Sequence, residues 1–191
     1  MRMNKWQLID NLAGGRCAAC TSGHAVASND VERRSKIYGK KHHMHSLRDA
    51  LKKSQKDGVA IGHFNVADWV LLKAVVAAGQ ELKVPVVVGA SEGEREFAGV
   101  RQIAALVRSL REEYDCPIFL DADHTHSLAK AVEAARAGFD AIVFDLSALP
   151  FEQNVRQTKE AVEALKTINP AIVVEGEIGD IGTGSERSLC A

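Results

Sequence analysis

Apolar residues along this chain fall into short dense runs separated by longer amphipathic stretches. The stretch HSLRDALKKSQKDG spaces Leu47 and Leu51 four apart and stops at Gly58, which predicts a short helix. A unit then repeats. VAIGHFNV (59–66) predicts a strand, and ADWVLLKAVVAAGQELK (67–83) has helical period. VPVVVGAS (84–91) predicts a second strand, followed by a helix over 96–114. PIFLDAD (117–123) precedes a helix over 127–138, AIVFDLS (141–147) one over 150–169, and AIVVEGEI (171–178) is a fifth strand. Near-continuous Val/Ile runs suit strands buried on both faces of a parallel sheet. Alternating strands and helices argue an α/β fold with right-handed crossovers.

Two architectures fit: an open doubly wound sheet and a (β/α)8 barrel. No Gly-x-Gly-x-x-Gly follows the first strand, which weakens a dinucleotide-binding reading. Polar residues mark the ends of all five strands: Asn65, Ser91, Asp123–His124, Asp145–Ser147 and Glu175–Glu177. Sites built from many strand ends are the habit of barrels. A barrel needs eight units, and about five are legible from Met44 onward. The expectation is therefore a partial TIM barrel over 44–191, the N-terminal portion of the fold. Residues 1–43, rich in Gly, Ser, Arg, Lys and His, show no sustained apolar period. They are expected to be a disordered or extraneous leader.

Composition changes this picture little. The 191 residues are 46% hydrophobic and 26% charged, with a net charge of −1. That balance argues against nucleic acid or an anionic membrane as a partner. No apolar run reaches the ~18 residues of a spanning helix, and no secretory signal pattern opens the chain. Four cysteines without framework spacing point to a reduced, cytoplasmic setting. Cys17 and Cys20, with His24 and the histidines at 42, 43 and 45, make only a weak zinc pattern.

The candidate chemistry sits at the strand ends. Side chains alternate along a strand, so Asp121 and Asp123 share one face. His124 follows where the strand opens into its loop. A carboxylate beside an imidazole there suits metal binding or proton transfer, and helix capping by Asp123 or Thr125 is the structural alternative. Glu175 and Glu177 place two more carboxylates on one face, which a divalent cation or solvent exposure would accommodate. The run GEIGDIGTGSE reads as a mobile loop able to carry Glu186 over the site, or as a plain connection.

FNV (64–66), VPVVVGASEG (84–93), DADH (121–124), FDLSALPFEQNV (144–155) and VEGEIGDIGTGSE (174–186) together resemble the class II, metal-dependent ketose-bisphosphate aldolases. The resemblance implies a zinc-dependent lyase of sugar-phosphate metabolism, homo-oligomeric in its intact form. It would cleave a ketose 1,6-bisphosphate, fructose or tagatose, to dihydroxyacetone phosphate and glyceraldehyde 3-phosphate. It implies Asp123 as the catalytic aspartate and His124 as a zinc ligand. It implies Asp145 and Glu177 at a second or alternative metal position, and Ser91 and Asn65 as substrate contacts. Glu186 corresponds to a lid acid. The family pattern reads His-x-Asp-His where this chain has Asp121, and its first lid glutamate falls at Ser185. Its two other zinc histidines follow the fifth strand, so this polypeptide is expected to be weak or inactive alone, or a remnant that binds metal or a partner subunit. The strands contain no lysine for a Schiff base.

Overall fold

The computed structural model describes residues 46–114 and 116–179. The expected leader and Glu186 lie outside them. Helix α1 (Leu47–Asp57) opens the described chain. The Ser46 hydroxyl accepts from the Asp49 N–H, and Gly58 closes the helix at φ 68°. That left-handed value suits a residue without Cβ. Strand β1 (Gly62–Asn65), helix α2 (Trp69–Leu82) and strand β2 (Val86–Ala90) follow. Two helices come next, α3 (Glu92–Ala98) and α4 (Val100–Glu113), then β3 (Ile118–Thr125), α5 (Leu128–Ala137), β4 (Ala141–Phe144), α6 (Phe151–Ile168) and β5 (Val173–Gly176).

The single helix expected over 96–114 is two. Gly99, at φ 86°, separates them. The first is started by a capping box: Glu94 N–H donates to the Ser91 hydroxyl while the Glu94 carboxylate accepts from Ser91 N–H.

The five strands are all parallel and lie in the order β1-β2-β3-β4-β5. A doubly wound sheet reverses its strand order at a switch point. This one never does. Each strand adds beside its predecessor in the same direction, as the strands of a (β/α)8 barrel do. The described residues form an arc of five such units.

The two faces of the arc differ. Ile118, Leu120 and Ala122 of β3, with Val86, Val88 and Ala90 of β2, belong to the large core shared with Val76, Val107, Ala134 and Leu165 of the helices. Phe119 of β3 and Val87 of β2 instead join a small inner cluster with Ala141, Leu47 and Ala50. Helix α1 therefore covers the inner face near the strands' N-terminal ends. Asp121 and Asp123 share parity with Phe119 and rise above that apolar floor, on one face as alternation predicts.

Candidate functional site

The site grows from one irregularity in β3. Its register with β4 runs Asp121↔Ala141 and Ala122↔Ile142, then jumps to Thr125↔Phe144. One extra residue lies on β3, which is a β-bulge, a device that re-aims side chains. His124 sits in it at φ 42°, a conformation costing on the order of 1–3 kcal/mol for a residue with Cβ. Thr125 is fully buried and its hydroxyl accepts from the Arg95 guanidinium at 2.8 Å. His124 turns instead toward the ends of β4 and β5.

There it meets two carboxylates. His124 Nδ1 lies 2.8 Å from Asp145 Oδ2 and 3.3 Å from Glu177 Oε2. Asp145 just follows β4, its N–H bonded to Thr125 O at 3.0 Å and its other oxygen accepting from Ser147 N–H at 2.9 Å. Burial opposes ionisation of Asp145. The Ser147 and His124 hydrogen bonds outweigh it, and its pKa falls to about 2. Burial also disfavours the His124 cation. The Asp145 hydrogen bond and the charges of Asp123, Glu177 and Asp145 outweigh it, and its pKa rises. Glu177 is raised by burial and then by the Asp145 charge, with His124 opposing. These three side chains bring their ligand atoms within 4.8 Å of one another. One imidazole nitrogen and two carboxylate oxygens form a donor set suited to zinc or another first-row divalent ion.

Across β3 stands a second group. Asn65 Nδ2 donates to Asp123 Oδ2 at 2.7 Å, fixing the carboxylate at the strand mouth. Beside it lie Asp121, 4% exposed, and His63, whose Nε2 is 3.5 Å from Asp121 Oδ2. His63 escaped the sequence reading, although its period-2 spacing from Asn65 put it on the same strand face.

Other candidates are placed as follows. Ser91 caps α3, its hydroxyl accepting from Glu94 N–H at 3.3 Å. Glu175 is exposed, and of the two glutamates expected to share a cation only Glu177 joins His124. The exposed His126 ring has Nδ1 3.0 Å from Asp145 O. Two supporting residues were not foreseen. Asn154 of α6 donates to Leu146 O at 3.0 Å and to Glu177 O at 2.7 Å, holding the residue that carries the acid. Arg95 of α3, 3% exposed, donates to Ala90 O and, at 3.1 Å, to Asp123 O. A groove between α4 and α5, lined by Arg101, Arg108, Glu133 and Arg136, shares no residue with either group. The chemistry lies at the strand ends and not in that groove.

The profile of the family described as fructose-bisphosphate aldolase class-II matches residues 45–190. The chain belongs to that family. It is 34% identical over 149 residues to a fructose-bisphosphate aldolase of Staphylococcus aureus (strain N315), covering 76% of this chain and 51% of that protein. It is 34% identical over 131 residues to that of Thermus caldophilus, covering 69% and 42%. Among solved structures it is similar to the YdjI aldolase of Escherichia coli K12, with a TM-score of 0.65 and 29% identity over 70% of this chain and 52% of that one. The chain thus spans about half the length of the relatives it matches.

Proposed function

We propose that this chain carries the strand-end machinery of a metal-dependent aldolase: reversible aldol cleavage of a ketose 1,6-bisphosphate, fructose 1,6-bisphosphate first, to dihydroxyacetone phosphate and glyceraldehyde 3-phosphate. The observation that supports it is the convergence of His124, Asp145 and Glu177, from three neighbouring strand ends, beside a carboxylate held by Asn65. His124, Asp145 and Glu177 are the residues to hold a divalent ion, zinc by the family's chemistry. Such an ion supplies Lewis-acid polarisation of a carbonyl.

The chain's own residues do the rest. Asp123 takes a proton from the sugar hydroxyl as the carbon–carbon bond breaks and returns it in the condensation direction. Asn65 keeps its amide N–H on Asp123 Oδ2, leaving the other carboxylate oxygen for that proton. Arg95 fixes the backbone carbonyl of Asp123 from the helical side. Asn154 fixes that of Glu177. Ser91, at the end of β2, is a substrate contact in this reading, and Glu186 is a lid acid. Lysines of the described residues offer no rival imine chemistry at these strand ends. Lys52, Lys53, Lys56, Lys73, Lys130, Lys159 and Lys166 lie on helices, Lys83 closes α2, and Lys130 is bonded to Glu92 and Glu96.

The expected partner is a sugar phosphate in the cytoplasm, with neither nucleic acid nor membrane as ligand, and the intact assembly is a homo-oligomer. No helix among the described residues is long and apolar enough to cross a membrane. A second reading, a remnant that binds metal without turnover, is favoured by the single histidine in the His124 group, since the three protein ligands of catalytic zinc commonly include at least two histidines or cysteines. Cleavage of fructose bisphosphate by the purified chain, with zinc and with chelator, separates the two. Zinc-dependent triose phosphate formation supports the aldolase; zinc uptake without it supports the remnant.

A further inference from the structure

The structure assigns a second divalent-cation site, on the inner face of β1–β3, to His63, Asp121 and Asp123, with Asn65 as a neighbouring oxygen donor. It shares no ligand with the His124 group and goes beyond the proposed reaction by drawing that reaction's Asp123 carboxylate into ion binding. The ligand atoms of His63, Asp121 and Asp123 lie within 4.8 Å of one another. The 3.5 Å between His63 Nε2 and Asp121 Oδ2 is well beyond the usual hydrogen-bond length of about 2.9–3.0 Å. It is close to the separation of about 3.4 Å between two donors set tetrahedrally around an ion at about 2.1 Å.

The sheet is built around this space. Asn65 pairs with Gly89, and Gly89 with Asp121, in one row. A Cβ at Gly89 would stand 2.3 Å from both His63 Nε2 and Asn65 Oδ1. The two donors therefore converge over the one position of the row that lacks a side chain. Asn65 Nδ2 is engaged by Asp123, which leaves Oδ1 as its donor to an ion.

Charge points the same way. The charged and titratable groups facing the cluster are Asp121, Asp123, His63, Arg95 and, on the Asp123 side, His124. The Arg95 guanidinium spends its hydrogen bonds on Ala90 O, Asp123 O and Thr125 Oγ1, not on either carboxylate. Two carboxylates against Arg95 leave the set negative while the His63 and His124 imidazoles are neutral. Asp121 is 4% exposed, so a divalent ion beside it would act in a poorly solvated setting where its attraction is strong. One imidazole and several oxygens select a borderline ion such as Zn²⁺, Mn²⁺ or Co²⁺ over a thiophilic one.

Cobalt titration of the full, chelator-stripped chain tests this, with uptake counted by calorimetry and ligation followed by visible absorption. The unaltered chain is expected to bind two Co²⁺. His63→Gln and Gly89→Ala should each remove one, with folding checked by circular dichroism. The double variant Asp145→Asn/Glu177→Gln should keep one ion that still shows nitrogen ligation. That arm stands even where His63→Gln fails to fold, and it reads this site whether or not the His124 site or aldol cleavage exists. Cobalt uptake and spectrum unchanged in His63→Gln and Gly89→Ala, or no ion in the double variant, would overturn the assignment.

Discussion

The two faces of β3 carry opposite chemistry on one strand. Outward, Ile118, Leu120 and Ala122 are 2% exposed or less and pack into the helical layer. Inward, Phe119 gives way to Asp121 and Asp123. The outward face supplies folding free energy, on the order of 1.5–3 kcal/mol for a fully buried Leu or Ile. The inward face costs free energy, because carboxylates are drawn from water toward one another. A strand that gives two of its eight positions to such carboxylates keeps them for another use. The bulge at Ala122–Thr125 is the hinge between the two regimes. It lets Thr125 be buried and turns His124 to the acids.

Substitutions on the two faces should separate these effects. Leu120→Ala is expected to cost about 2–5 kcal/mol of stability in urea titration, while the folded fraction binds metal normally. Asp145→Asn comes next. The Asp145 pKa of about 2 lies below its ordinary 3.8, so its contribution is present above pH ~4 and lost as pH falls toward ~2. In chelator the variant should lose about 2 kcal/mol relative to the unaltered chain near pH 6, and nothing near pH 2. His124 runs the other way. With its pKa raised, its contribution is full below pH ~6.5 and disappears as pH rises through the folded value. Urea midpoints across pH check both signs.

Asn154→Ala should cost about 1–3 kcal/mol. It should also weaken zinc at His124 by roughly tenfold or more through displacement of Glu177. The smallest effect sharpens the contrast most. Glu177 is pushed up by burial and the Asp145 charge, so its ionised form is less favoured in the metal-free fold than in the unfolded chain. Glu177→Gln should leave metal-free stability unchanged or raised at pH 7 and still impair metal uptake. A marked loss of stability in chelator would mean that Glu177 is structural.

Much of this was legible in the chain. Five Val/Ile runs became five parallel strands, and Asp121 and Asp123 fell on one face because strand period is fixed by covalent geometry. Four of the paired segments are shorter than the apolar runs, as with 59–66 against Gly62–Asn65, since pairing stops where a neighbour ends, whereas β3 runs past 123 to Thr125 through its bulge. Helix α3 was missed although Ser91 and Glu94 have capping-box spacing. The orientation of His124 was beyond reach, because a bulge is set by register between two strands and not by either alone. His63 stayed hidden for a related reason: it meets Asp121 only because Gly89 stands between β1 and β3 without a side chain.

The central claim is that neighbouring strand ends converge on a single divalent ion at His124. Anomalous diffraction at the zinc edge from zinc-loaded crystals of this chain tests it most directly. The account predicts a peak about 2.0–2.2 Å from a His124 ring nitrogen and from carboxylate oxygens of Asp145 and Glu177. Zinc seated only elsewhere, with His124 still bonded to Asp145, would contradict it.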